Sequence, residues 1–159
     1  MIKVHHLFQE QTLALSLEEA WAFFATPKNL DEITPPELSF ETVYCAEGEM
    51  FEGQIITYRV GIFPGVKVPW VTEIRSVKPR ESFIDEQRAG PYRLWHHRHV
   101  FTPIPGGVGM TDEVHYALPF WPFGELAHGI LVKPKLERIF AFRREELEKR
   151  FGRVEGQVC

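Results

Sequence analysis

The sequence from Phe83 to Tyr116, FIDEQRAGPYRLWHHRHVFTPIPGGVGMTDEVHY, contains three alternating segments joined by two turns rich in glycine and proline. A side-chain period of two is typical of strands that bury one face, so this stretch predicts three antiparallel strands. Their inner face would carry aromatic residues, two histidines and an acid, which is an unusual composition for a hydrophobic core. Such a face indicates an internal cavity that accepts a small ligand.

Further strands are predicted on the N-terminal side of this stretch. Turn residues recur at the spacing of β-hairpins, and they divide the chain into short strands. These strands cover about residues 38–46, 50–60, 66–77, 81–88, 92–103 and 108–117. An additional strand is predicted at residues 3–15, where apolar and polar side chains alternate.

Helices are predicted on either side of this run of strands. Ser16 and Glu19 have the spacing of a capping box, and the helix that they open should end before Pro27. A second short helix or turn is expected at residues 28–33. A long helix is expected from about Glu125 to Phe151, with a kink or interruption at Pro134. Its apolar stripe consists of Leu136, Ile139, Phe140, Leu147 and Phe151.

The order of these elements predicts an α+β fold. Six consecutive strands form a meander that must curl, and one long helix can cover its concave face. This order resembles the helix-grip fold of the START-like (SRPBCC) superfamily, which includes pollen allergens, lipid-transfer proteins and polyketide cyclases or dehydratases. The resemblance implies a curved seven-stranded antiparallel sheet wrapped around the C-terminal helix, with two short helices after the first strand. It predicts a single ligand-binding domain at residues 1–151 and a loose tail at 152–159.

Several short motifs look like one bacterial subgroup of that superfamily. The subgroup is described as ligand-binding or cyclase/dehydrase-like proteins, and no settled chemistry or cofactor accompanies the resemblance. The motifs are Asp85-Glu-Gln87, Gly90-Pro91-Tyr92, Trp95-His-His97-Arg-His99-Val-Phe101, Asp112-Glu-Val114-His-Tyr116 and Ile139-Phe140-Ala-Phe-Arg143.

Turn positions predict how the last three strands pair. A turn centred on Pro105-Gly106 places His99 opposite Asp112, His97 opposite Val114 and Trp95 opposite Tyr116. A three-residue turn at Ala89 to Pro91 places Gln87 opposite Arg93, Asp85 opposite Trp95 and Phe83 opposite His97.

The last strand indicates which face is buried. If Thr111, Glu113 and His115 face solvent, then Asp112 points inward together with Met110, Val114 and Tyr116. A buried carboxylate needs a partner, and His99 is the candidate.

Three interpretations of this inner face remain open. It is a satisfied polar network within a core, a ligand-binding cavity, or a catalytic site in which Asp112 orients His97 or His99 as a general base. His97 and His99 with Asp112 also have the donor types of a zinc site, but such pairs are common on strands without metal, so no metal is expected. The expected ligand contacts are Phe83, Gln87, Trp95, His97, His99, Phe101, Asp112, Tyr116 and Arg143.

Apolar loops are expected to gather at one end of the meander, because alternate turns share an end. They form a rim that packs beneath the helix, covers the cavity as a lid, or contacts a membrane surface or a protein partner. The rim residues are Phe63, Phe120, Trp121 and Phe123. Arg143 falls on the apolar stripe of the long helix, so it either extends to water along its stem or meets an acid such as Asp85 or a ligand carboxylate.

Composition narrows the class of partner. The net charge of −4 gives no reason to expect a nucleic-acid partner. Cys45 and Cys159 are too few for a disulfide framework, and the N-terminus lacks the apolar run of a signal peptide. No segment approaches the roughly 20 apolar residues of a membrane-spanning helix, so a cytoplasmic protein without stable membrane insertion is expected.

These observations support three hypotheses about function. The first is a non-catalytic binder or carrier of an apolar or aromatic small molecule, such as a lipid, quinone or polyketide-like compound. The second is a cyclase/dehydratase-like enzyme that uses a cavity histidine as general base. The third is a partner-binding module that uses the apolar rim, with the partner unknown.

Overall fold

A computed structural model describes residues 2–155 and shows a curved antiparallel sheet facing a long C-terminal helix. The strands are β1 (His5–Leu13), β2 (Glu41–Tyr44), β3 (Ile55–Phe63), β4 (Val66–Lys78), β5 (Ser82–Ala89), β6 (Leu94–Ile104) and β7 (Gly107–Ala117). The α-helices are α1 (Leu17–Phe24), α2 (Phe123–Ala127) and α3 (Lys133–Phe151), with 3₁₀ turns at Pro27–Ile33 and Pro36–Leu38. The sheet order is β1-β7-β6-β5-β4-β3-β2, which confirms the predicted helix-grip fold.

Helix α1 begins at the predicted capping box. The Ser16 side-chain oxygen accepts a hydrogen bond from the Glu19 amide at 3.2 Å, and a Glu19 carboxylate oxygen accepts one from the Ser16 amide at 2.9 Å. Both contacts satisfy amide groups that the first helical turn leaves without a partner. The helix buries Ala20, Trp21 and Phe23 against the sheet.

The C-terminal helix is interrupted where a proline was expected to disturb it. A π-helical turn at His128–Val132 joins α2 to α3, and the Lys133 amide donates to the His128 carbonyl five residues earlier. Pro134 lacks the amide that a regular helix would use at this point, so the wider turn accommodates the missing bond. The predicted stripe faces inward, with Leu136, Phe140 and Leu147 buried.

The strands on the β2 side differ from the prediction. Residues 38–40 are not in a strand, because Pro35 and Pro36 start a 3₁₀ turn that ends at Leu38. Strand β3 continues to Phe63 through a bulge after Gly61, so the connection to β4 is shorter than predicted. A side chain at Gly61 would lie 2.6 Å from the Leu38 carbonyl oxygen, and the close approach of these two segments therefore requires glycine.

The predicted pairing of β6 with β7 is confirmed, but that of β5 with β6 is wrong by two residues. Phe83 lies opposite His99, and Asp85 lies opposite His97. The two strands are joined by a longer loop than predicted, because the Arg93 amide donates to the Ala117 carbonyl at 2.9 Å and β6 starts only at Leu94. A shift of two residues keeps each side chain on its predicted face.

The first residues of the predicted tail, Gly152 and Arg153, contact the end of β1. Gly152 accepts a hydrogen bond from the Ala14 amide at 3.0 Å, and Arg153 forms a bridge with Leu13 at the end of β1. Residues 156–159, including Cys159, lie outside the described part of the chain. Cys45 is half-buried and is not in a disulfide.

The core consists of two apolar clusters on the concave face of the sheet. The larger one includes Trp21, Phe83 and Leu147, and the smaller one includes Trp95 and Phe140. None of the helices in residues 2–155 is both long enough and apolar enough to cross a lipid bilayer.

Candidate functional site

A cavity of about 800 Å³ lies between the concave face of the sheet and the C-terminal helix. This volume is within the range of small-molecule sites in proteins. Strands β3 to β6 supply one wall, and α3 supplies the other. The lining is mainly apolar and aromatic, and includes Phe23, Leu30, Ile56, Tyr58, Val60, Trp70, Ile74, Phe83, Tyr92, Trp95, Leu136, Ile139 and Phe140.

A cluster of two carboxylates and two imidazoles forms the polar part of the sheet wall. His97 Nε2 lies 2.9 Å from Asp112 Oδ1, and His99 Nε2 lies 2.8 Å from Asp85 Oδ2. His97 Nδ1 also lies 3.2 Å from Asp85 Oδ2. His99 Nδ1 is 3.1 Å from Asp112 Oδ1 but is not aligned for a hydrogen bond. Asp112 therefore contacts His99, as predicted, and it also makes an aligned bond with His97, which was not predicted.

The cluster is almost entirely shielded from bulk solvent. His97, His99 and Asp112 are buried, whereas 21% of the Asp85 side chain is accessible, and Asp85 lines the cavity. His97 and His99 also line it, and Asp112 lies behind them. A ligand would therefore meet Asp85 and the two imidazoles.

Charge pairing sets the protonation of the cluster. Burial by itself would raise the pKa of Asp85 and of Asp112, but the nearby histidines outweigh it and hold both pKa values well below their usual range. Burial would lower the pKa of His97, but Asp85 and Asp112 outweigh it and raise this pKa to about 9. His97 is therefore protonated at neutral pH, and it can donate but not accept a proton there.

Aromatic neighbours fix the cluster in place. The Trp95 indole N–H donates to Asp85 Oδ1 at 3.1 Å, and the Phe83 ring stacks on His99 with 4.2 Å between centroids. Phe140 from α3 contacts the His97 ring edge to face. These contacts hold the cluster in one arrangement at the cavity wall, with its imidazole nitrogens directed at the two carboxylates.

The structure divides the predicted ligand contacts into two groups. Phe83, Trp95, His97, His99 and Arg143 line the cavity. Gln87, Phe101, Asp112 and Tyr116 do not line it.

Each of the second group has another role in the structure. The Gln87 side chain holds the loop after β5 by bonding the Tyr92 carbonyl at 2.6 Å and the Tyr92 amide at 3.1 Å. Phe101 packs edge to face on Trp21 in the larger core cluster. Asp112 orients His97, and the Tyr116 hydroxyl bonds His128 Nε2 at 2.8 Å.

The rim residues lie at the cavity mouth and are exposed. Phe63, Phe120 and Phe123 line the cavity and are 59%, 81% and 76% exposed, whereas Trp121 is 56% exposed and does not line it. These side chains do not pack beneath the helix, which was one of the alternatives. The cavity therefore reaches the surface through an apolar border.

A second group of histidines connects β1 to α2 and to the π-helical turn. The His5 and His128 rings stack with 3.5 Å between centroids, and His5 Nε2 lies 3.1 Å from Glu125 Oε1. Burial, followed by the charge of His5, lowers the pKa of His128. No local pattern in the sequence indicates this contact, because His128 and Glu125 come from the C-terminal helical region and His5 from a distant strand.

Metal-ligating atoms come together at two places in the described chain. Asp85, His97 and His99 each place one such atom within 4.8 Å of the others, as do His6, Glu113 and His115 on the outer face of the sheet. In the inner group Asp85 takes the place that the sequence analysis gave to Asp112. The imidazole nitrogens of His97 and His99 already contact carboxylates, which is the arrangement of an ion-paired network.

Two charged lining residues, Lys135 and Asp85, are not among the predicted ligand contacts. Asp85 lines the cavity, although it was predicted only to lie opposite Trp95 and to be a possible partner of Arg143. Its position two residues after Phe83, on the same side of the strand, is the signal that identifies it. Lys135 precedes the stripe residue Leu136, and the helical pattern gives no such signal for it.

Comparison with known proteins supports the fold. No family model and no curated protein matches the chain. TTHA0849 from Thermus thermophilus is similar in structure, with a TM-score of 0.65 and 21% identity over 92% of this chain and 96% of that chain.

Two further solved structures have the same architecture. A START superfamily protein from Mycobacterium smegmatis has a TM-score of 0.68 at 13% identity, covering 92% of this chain and 97% of its own. Ara h 8.0201 has a TM-score of 0.57 at 20% identity, covering 92% and 99%. Identities this low show the fold alone, and at that level the START-like helix-grip resemblance is confirmed.

Proposed function

We propose that this protein binds an apolar or aromatic small molecule, such as a lipid, quinone or polyketide-like compound, between its sheet and its C-terminal helix. The observation that carries the proposal is the cavity of about 800 Å³ with its mainly apolar lining. Apolar walls with a few fixed polar groups are the usual composition of a small-molecule site. Burial of an apolar ligand there contributes roughly 25 cal/mol for each Å² removed from water.

The state of His97 favours binding over general-base catalysis. A general base must be unprotonated at the working pH, and its pKa is best placed near that pH. The raised pKa of His97 keeps this imidazole protonated at neutral pH, with Asp85 and Asp112 as its counter-ions. In a cyclase/dehydratase-like reaction, His97 would therefore act as a proton donor or hydrogen-bond donor to a substrate oxygen and not as the base.

The exposed rim supports a role as a carrier. Phe120, Phe123 and Leu131 border the mouth and are more than half exposed. An apolar border at the mouth allows a ligand to pass without full exposure to water when the rim contacts a membrane surface or a partner. Transient contact of this kind would explain why the residues are not buried.

A titration with Nile red, a neutral apolar dye, tests the proposal. In the double variant Val60→Trp, Ile139→Trp both new rings enter the cavity, because both positions line it. The two rings take up volume that the dye would otherwise fill, so the affinity should fall at least about tenfold, which corresponds to about 1.4 kcal/mol. The matched control Val43→Trp, Val66→Trp adds the same rings at exposed positions outside the lining and should bind like the wild type.

The two double variants separate the cavity from the surface as the binding site. Unchanged affinity in the cavity variant, with its fold intact by circular dichroism, would mean that the dye binds elsewhere. Absence of saturable dye binding by the wild type would refute the proposal for neutral apolar ligands.

A further inference from the structure

Unlike the other arginines of α3, Arg143 has neither a hydrogen-bond partner nor an ion-pair partner among residues 2–155. Arg138 pairs with Glu37 at 2.7 Å, and Arg150 pairs with Glu32. Arg144 donates to the Glu10 carbonyl. No carboxylate in residues 2–155 lies within 4.0 Å of the Arg143 guanidinium.

The Arg143 side chain lines the cavity and is half-buried. Its Nε is buried and lacks a hydrogen-bond partner, and its guanidinium carbon lies 5.1 Å from the centre of the Phe140 ring. A contact with an aromatic face stabilises a cation only in part, and it leaves the N–H groups in the guanidinium plane free. Guanidinium N–H groups without an acceptor at the cavity wall favour a ligand that accepts hydrogen bonds.

The charges that line the cavity favour an anion over a cation. Asp85 is the only lining carboxylate in the described chain, and it already contacts His97 and His99. Lys135, the other lining cation, donates to the carbonyls of Gly61 and Ile62 at 3.1 and 3.0 Å.

Counting formal charges gives the sign of the site. The site has three positive charges, on Lys135, Arg143 and protonated His97. It has two negative charges, on Asp85 and Asp112, so the net charge without His99 is one positive charge. A ligand with a single negative charge would neutralise this excess.

We propose that the ligand is an amphipathic monocarboxylic acid, whose carboxylate pairs with Arg143 while its apolar body fills the cavity. A guanidinium binds a carboxylate through two parallel hydrogen bonds, and this geometry supplies acceptors for the free N–H groups. The inference rests on the proposed binding function and specifies its ligand class.

Calorimetric titration with dodecanoate and with 1-dodecanol at pH 7.5 tests this inference. The two ligands share a tail and differ only in the head group. A hydrogen bond to a charged group contributes about 1.5–3 kcal/mol, so the wild type should prefer dodecanoate roughly 10- to 150-fold. Arg143→Met keeps an unbranched apolar stem and should lose this preference through weaker dodecanoate binding, with dodecanol affinity unchanged.

The control variant Arg138→Met removes one positive charge from the exposed side of the same helix. Its side chain is 75% exposed and does not line the cavity, so the wild-type preference should remain. Loss of the preference in this variant as well would indicate a general charge effect and would overturn the role of Arg143.

The remaining outcomes distinguish the inference from the function on which it rests. If the wild type binds both ligands equally, the carboxylate inference fails and the binding function stands. If it binds neither, the binding function fails. Should Arg143→Met not fold, the wild-type affinities for dodecanoate and methyl dodecanoate decide the matter, because equal values would overturn the inference.

Discussion

The buried histidine cluster makes the stability of the protein depend on pH above neutrality. The pKa of His97 is about 9 in the folded protein, compared with 6.5 as its ordinary value. Because the folded pKa is the higher one, the stabilisation is fully present below pH 6.5 and is lost as the pH rises through 9.

The size of this effect follows from the two pKa values. Each pKa unit corresponds to about 1.4 kcal/mol, which makes the full contribution of His97 about 3 kcal/mol. Between pH 7 and pH 9 the linkage relation gives a loss of about 2 kcal/mol. Asp85 and Asp112 do not change this slope, because their lowered pKa values keep both ionised throughout that interval.

Urea denaturation at pH 7, 8 and 9 measures the effect. With a slope of about 2 kcal/mol per M, the unfolding midpoint should fall by roughly 1 M from pH 7 to pH 9. Asp112→Asn removes the carboxylate that bonds His97 at 2.9 Å. This variant should be about 3–5 kcal/mol less stable at pH 7, with a smaller fall above it.

A histidine on the outer face provides the control. His115→Gln changes a half-buried residue that lies on the same strand as Asp112 but on the opposite face of the sheet, and it should retain the wild-type fall. A wild-type midpoint that stays constant from pH 7 to pH 9 would refute the assigned protonation of His97, and with it the argument against a general base.

Three further predictions concern the framework around the site. In Gln87→Ala, hydrogen exchange at the Tyr92 amide should become faster, because this amide donates to the Gln87 side chain. The Arg93 amide, which is bonded to Ala117, should remain protected. A Tyr92 amide as well protected as in the wild type would contradict this role of Gln87. Leu147→Ala should lower the free energy of unfolding by about 2–5 kcal/mol, because the side chain is fully buried. The same change at the exposed Leu126 should alter the free energy of unfolding by less than about 0.5 kcal/mol. Ser16→Ala should cost about 1 kcal/mol in urea denaturation through loss of the capping box, and an unchanged midpoint would mean that this cap does not limit stability.

Local signals in the sequence were sufficient for most of the fold. The Ser16 capping box, the Pro105-Gly106 turn and the strict alternation of β7 each depend on neighbouring residues, and each is found as predicted. The register of β5 with β6 was not predictable in this way. It depends on the Gln87 side chain and on a bond from Arg93 to Ala117 on a different strand.

The candidate site was predicted only in outline, for a similar reason. Alternation identified the inner faces that carry His97 and His99, but the choice of carboxylate for each nitrogen depends on distances between strands. Arg143 was recognised as a charge on an apolar stripe. Only the three-dimensional structure shows that its Nε is buried without a partner beside the cavity.

The most direct test of the central claim is to locate a bound apolar molecule by nuclear Overhauser contacts. The measurement uses ¹³C-labelled 1-dodecanol, whose neutral head makes the result independent of Arg143. The account predicts contacts from the dodecanol chain to the buried methyl groups of Ile56, Ile74 and Leu136, which line the cavity. Contacts confined to the exposed methyl groups of Leu126 and Ile130, which lie outside the lining, would contradict it.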